Sequence, residues 1–108
     1  LNSDARGMEY IEALSDKLPN ETLYSINGNV LGNHYSLTKL MWLRDHRQSL
    51  WSDTYKLLHW SPFIAYMLGT DAVVDYSLAN RTLLFDLETE TWSDELLSLT
   101  GIPGDKLP

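Results

Sequence analysis

The sequence predicts a mostly helical chain with a few short strands. Three observations predict it. Apolar residues recur at helical spacing in several segments, Ser, Asp, Pro and Gly punctuate those segments as caps and stops, and extended runs are few and short.

The first predicted helix runs over 5–18, with Asp4 as its cap and Pro19 as its stop. Met8, Ile11, Leu14 and Leu18 form its apolar face. Residues 22–26 predict a short second helix, and Asn27-Gly28-Asn29 is turn chemistry. Residues 36–47 predict a third helix with Leu37, Leu40 and Met41 as its seam. A short helix over 50–55 and a strand over 56–60 follow.

Ser61-Pro62 reads as an N-cap with proline in first helical position, and Gly69 as the left-handed end of that helix. The helix is apolar on nearly every side, so it belongs in an interior. Residues 72–74 are extended, and Ser77 caps one turn over 77–82. Residues 83–92 alternate as a half-exposed strand or hairpin. Ser93 caps the last helix, Trp92 and Leu97 are spaced for a hydrophobic staple, and Gly101 and Pro103 end it.

Composition narrows the function. The 108 residues fit one domain or part of one. A net charge of −7 argues against nucleic acid, whose phosphates need clustered Lys and Arg. No apolar run approaches the length of a membrane span, and no signal pattern opens the chain, so no membrane partner is expected and the cytoplasm is the expected location. Without cysteine, disulfides and thiolate metal sites are excluded. The opening Leu1-Asn2-Ser3-Asp4-Ala5-Arg6 reads as the end of a buried strand running into a helix. That pattern fits an excised segment or a processed terminus equally.

The chain has no P-loop, dinucleotide fingerprint or zinc-protease motif. His34, His46 and His59 lack ligand spacing, so no metal site is expected. His34 is the most suggestive, in a polar Gly-Asn-His-Tyr-Ser loop before a helix, where side chains can face a ligand's hydroxyls. Glu88 with Glu90 and Asp94 with Glu95 read as solvated faces. Asn20-Glu21-Thr22 and Asn80-Arg81-Thr82 match the glycosylation pattern by chance.

Longer patterns carry more. Asp75-Tyr76-Ser77-Leu78-Ala79-Asn80-Arg81-Thr82-Leu83-Leu84-Phe85-Asp86-Leu87, then Thr91-Trp92-Ser93-Asp94-Glu95-Leu96-Leu97 and the closing Leu107-Pro108, resemble the FGGY carbohydrate kinases. Lys39-Leu40-Met41-Trp42-Leu43, Tyr66-Met67-Leu68-Gly69 and Asn2-Ser3-Asp4-Ala5-Arg6 resemble the same family in the same order. The resemblance implies a segment of the N-terminal actin-like (ribonuclease H-like) α/β domain, which binds the sugar. It is nearest to the xylulose and gluconate kinase branches.

The resemblance implies phosphorylation of a sugar or sugar-acid hydroxyl using ATP and Mg²⁺, which the full-length enzyme would hold and this segment would not. It places Asp4, Arg6 and His34 at the substrate. The phosphate-contacting segment would precede Leu1, and the catalytic aspartate and nucleotide domain would follow Pro108. No catalytic base is therefore expected within 1–108, and the segment alone should not turn over. His34 falls where glycerol kinases place a substrate-contacting tyrosine, and here Tyr35 comes one residue later, which argues against glycerol. The expected partners are a sugar or sugar acid, the rest of the kinase chain, and a second copy in a homodimer. The competing expectation is a non-catalytic helical interaction module derived from such a kinase.

Overall fold

The computed structural model describes residues 3–108, so the part of the predicted strand end at Leu1 and Asn2 lies outside the described residues. Among the described residues, seven helices, one hairpin of two-residue strands and a closing 3-10 turn follow in order. The expectation of a mostly helical chain with few short strands holds.

α1 spans Glu9–Lys17, four residues later than the sequence predicts. Gly7 is the reason. It adopts φ +90°, and a Cβ there would lie 2.5 Å from the Thr38 carbonyl oxygen. That left-handed residue breaks helical geometry, so α1 starts only beyond it. Asp4 does not cap α1; its carboxylate accepts the Arg6 backbone N–H instead. Pro19 ends α1 and also precedes α2 (Asn20–Asn27), lending its carbonyl to the Leu23 N–H. α2 closes on Gly28 at φ +71°.

α3 (Ser36–His46) buries Leu37, Thr38 and Met41. α4 (Gln48–Asp53) follows at once. The predicted strand over 56–60 does not form. Its backbone meets the 3-10 turn Gly104–Lys106, which offers no ladder to pair with. Single bonds pin it instead. The Leu57 N–H donates to the Lys106 carbonyl at 2.7 Å. Lys56 Nζ donates to the Asp105 and Leu107 carbonyls, and Lys106 Nζ to that of Thr54.

α5 (Trp60–Met67) begins one residue before Ser61, with His59 at the cap position. Pro62 is therefore its third residue, still among the first four whose N–H groups have no helical partner. The expected interior setting is not observed. Among the described residues of α5 only Pro62 is buried, while Trp60 is 77% exposed and Leu68, just after it, 82%. The sequence reports that this helix is apolar; it does not report what covers it.

α6 (Tyr76–Asn80) is capped by Asp75, which accepts from the Leu78 N–H and the Ser77 hydroxyl; Ser77 is not the cap. β1 (Phe85–Asp86) and β2 (Thr91–Trp92) pair antiparallel, Phe85 opposite Trp92. Asp86 Oδ1 accepts the Glu88 and Thr89 N–H groups and shapes the loop. Ser93 caps α7 (Asp94–Thr100) as predicted, accepting from the Leu96 N–H at 3.3 Å, and Gly101 ends it at φ +69°. Trp92 and Leu97 lean on one core cluster, and Trp92 Nε1 is tied to the Pro108 carbonyl.

The core joins Leu14, Leu18 and Leu23 to Leu37 and Met41, and both sets to Leu83, Leu84, Leu96, Ile102 and Leu107. Both glycosylation-pattern asparagines have backbone or side-chain partners: Asn20 Oδ1 accepts the Leu31 N–H, and Asn80 Oδ1 accepts from Asn29 Nδ2. Among the described residues no helix is long and apolar enough to cross a membrane.

Candidate functional site

The loop before α3 is shaped by side-chain stacking. The His34 and Tyr35 rings sit 4.1 Å apart, and the Arg81 guanidinium lies 4.5 Å from the Tyr35 ring centre. The Tyr35 hydroxyl donates to Asn29 Oδ1, and the Ser36 N–H to the Arg81 carbonyl. These contacts hold Tyr35 inward and leave His34 exposed.

Asp4 comes to the same place from the chain's start. With Ser3, Ala5, Met8, Asn33 and His34 it lines an open hollow of about 280 Å³. The structure thus brings together Asp4 and His34, two of the three residues the resemblance placed at the substrate. Arg6 is not on that wall. Its Nε donates to Asp4 Oδ1 at 2.9 Å and its Nη2 to Oδ2 at 2.6 Å. Its other side faces the Trp42 ring at 5.1 Å. Arg6 therefore reaches the hollow through Asp4.

The electrostatics follow from that pair. The Arg6 guanidinium, bonded to both carboxylate oxygens, holds Asp4 well below the usual carboxylate range. An aspartate that binds its proton so weakly is a poor general base. It remains a strong acceptor for hydroxyl donors, since each oxygen has a second lone pair. His34 adds a ring that can donate or accept. The hollow can hold hydroxyls, and Asp4 is not suited to take a proton from one.

A second hollow of about 280 Å³ is also lined by His34, with Ser36, Lys39, His59 and Trp92 among its other residues. Ser36 Oγ and His59 Nε2 share a hydrogen bond of 3.1 Å. Burial pushes the His59 pKa down, with Asp75 opposing. Burial also lowers Lys39, whose Nζ donates to the Asn33 carbonyl at 2.6 Å.

Sequence reasoning missed Asn33 and Lys39 as members of this region. Asn33 stood in the polar loop already singled out, but its partner Asp4 is 29 positions away. Nothing local announced His59. Among the described residues no three His, Cys, Asp or Glu side chains converge to hold a metal ion.

The model of the FGGY family of carbohydrate kinases, N-terminal domain, matches residues 1–108. A xylulose kinase of Staphylococcus xylosus is 30% identical over 100 residues, 93% of this chain and 21% of that protein. A glycerol kinase of Agathobacter rectalis is 33% identical over 113 residues, 95% of this chain and 22% of that protein. A crystal structure of xylulose kinase from Rhodospirillum rubrum superposes with a TM-score of 0.88 at 23% identity, over 99% of this chain and 22% of that one. The chain spans about a fifth of the length of the relatives it matches. A family model covering every residue leads to one conclusion: the chain belongs to the FGGY family of carbohydrate kinases, in its N-terminal domain.

Proposed function

We propose that this chain is the sugar-binding part of an ATP-dependent carbohydrate kinase, whose substrate is a sugar or sugar acid, with D-xylulose first and gluconate second. Family membership over all 108 residues carries this reading. The identity to a xylulose kinase supports D-xylulose, and the similar identity to a glycerol kinase keeps glycerol as a competitor.

Asp4 accepts hydrogen bonds from substrate hydroxyls, His34 contacts the sugar from the facing loop, and Arg6 keeps Asp4 ionised and oriented. The low proton affinity of Asp4 supports giving it a binding role and leaving the base to another part of the kinase. ATP and Mg²⁺ belong to the remainder of the polypeptide. In phosphoryl transfer, Mg²⁺ neutralises charge on the phosphates. The kinase acts in the cytoplasm.

A second reading, a helical interaction module without catalysis, is favoured by one observation: the exposed apolar surface of α5. Coupled ATP turnover by the full-length polypeptide separates the two. D-xylulose, gluconate, glycerol, L-ribulose, L-rhamnulose and L-fuculose form the panel. Turnover of one sugar well above the rest is expected. A folded protein that turns over none and binds no ATP selects the interaction module.

A further inference from the structure

The two substrate-facing residues, Asp4 and His34, come from separate parts of the chain, and something must fix the gap between them. Asp4 and Arg6 form a local unit, closed on itself by three side-chain hydrogen bonds. Among the described residues, one hydrogen bond ties this unit to the His34 loop: Asn33 Nδ2 donates to the Asp4 carbonyl at 3.3 Å.

Asn33 is itself held from α3. Its Oδ1 accepts from Thr38 Oγ1 at 2.8 Å, and its carbonyl from Lys39 Nζ. Thr38 is fully buried, so its hydroxyl cannot turn to water for another partner. The Thr38 carbonyl is also the surface against which Gly7 closes. Thr38 thus touches both sides of the hollow: the Asp4 side through Gly7 and the His34 side through Asn33.

We infer that Asn33 and Thr38 are positioning residues that set the separation of Asp4 and His34, and through it the affinity for sugar. This rests on the proposed substrate role of Asp4 and His34. A binding group misplaced by about 1 Å can cost on the order of a hundredfold in rate. Losing one link in this chain of hydrogen bonds should be milder.

The test uses the full-length kinase with whichever panel sugar it phosphorylates fastest. Sugar KM, ATP KM, kcat and thermal midpoint are measured for Asn33→Ala, Asn33→Asp, Thr38→Val and Thr38→Ser, beside Asp4→Asn and His34→Ala. Asn33→Ala and Thr38→Val should raise sugar KM roughly tenfold while leaving ATP KM within about twofold. Thr38→Ser keeps the hydroxyl and should restore sugar KM. Asn33→Asp keeps the acceptor for Thr38 but loses the donor to Asp4, so it should follow Asn33→Ala. It stands in if Thr38→Val does not fold.

A merely structural role would lower the active fraction and leave both KM values alone. Unchanged sugar KM in the Asn33 and Thr38 variants, with a raised value in Asp4→Asn or His34→Ala, overturns the positioning role alone. Unchanged sugar KM in all of them overturns the substrate role of Asp4 and His34, and the positioning role with it.

Discussion

Two regions of this chain share apolar composition and differ in what surrounds it. In the core that joins α3, the hairpin and α7, leucines such as Leu37, Leu83, Leu84 and Leu96 are fully buried against one another. In α5 and the residues after it, Trp60, Ile64, Met67, Leu68 and Val73 are mostly exposed. The first region is complete in its own packing. The second resembles a core element without its cover, and an exposed cluster of this kind marks a surface made to meet something else. Hydrophobic pattern alone cannot separate the two cases.

Glycine substitutions break the comparison most sharply, because one left-handed glycine, Gly7, packs against Thr38 of α3 and another, Gly69, follows α5. Gly7→Ala meets both a strained φ and a backbone oxygen, so it should cost about 4 kcal/mol of folding free energy. Gly69, at φ +102°, has nothing near its Cβ position, so Gly69→Ala should cost only about 1 kcal/mol. Urea midpoints of the two variants would decide, and equal losses would contradict the contrast.

Side-chain truncation gives the next largest difference. Leu37→Ala should cost about 3 kcal/mol, whereas Ile64→Ala in the 108-residue chain should stay within about 0.5 kcal/mol. The same pair made in the full-length protein sharpens the point. A large loss for Ile64→Ala there, and not here, would show that the rest of the polypeptide covers α5.

Caps follow. Ser93→Ala removes an observed cap and should cost about 1 kcal/mol, while Ser61→Ala should change stability by a few tenths, because Ser61 lies inside its helix. Thermal melts would reveal either inversion.

Acid should have the smallest effect. The half-buried His59 favours its neutral form in the folded state. Above the usual histidine pKa, near 6.5, folded and unfolded chains are both neutral there, and stability does not depend on this group. As pH falls below that value the unfolded chain takes the proton first, so stability falls until the lower folded pKa is reached. Urea midpoints between about pH 7 and 5 should decline more steeply for the natural chain than for His59→Gln.

Much of the fold was legible where the signal is local. Ser93 announced its cap, Gly28 and Gly101 their helix ends, and the alternation through Phe85 and Leu87 its hairpin. Pro62 and Gly69 bracketed α5 to within a residue or two. What failed depends on distant partners. The late start of α1 is set by Thr38, 31 positions beyond Gly7. The stretch 56–60 looked like a strand but finds a 3-10 turn opposite it. Of the candidate site, His34 was singled out by its polar loop and again by resemblance, Asp4 by resemblance alone, and Arg6 was named without its role as the partner of Asp4. Asn33 was invisible, because an asparagine in a polar loop looks the same whether it ends a turn or ties two segments together.

The reciprocal lysine contacts near the end of the chain bear on the order of folding. Lys106 reaches Thr54 across 52 positions, while Lys56 reaches back to Asp105 and Leu107. Ordering a loop of that length is entropically costly, although each doubling adds only about 0.6 kcal/mol. Helices and the hairpin need no such closure and should form sooner. Lys106 Nζ also lies 5.9 Å from the Trp51 ring centre. In stopped-flow refolding, Trp51 fluorescence should therefore report the late step at which the two ends of that loop come together, and a Trp51 signal complete within the helix-forming phase would contradict this order.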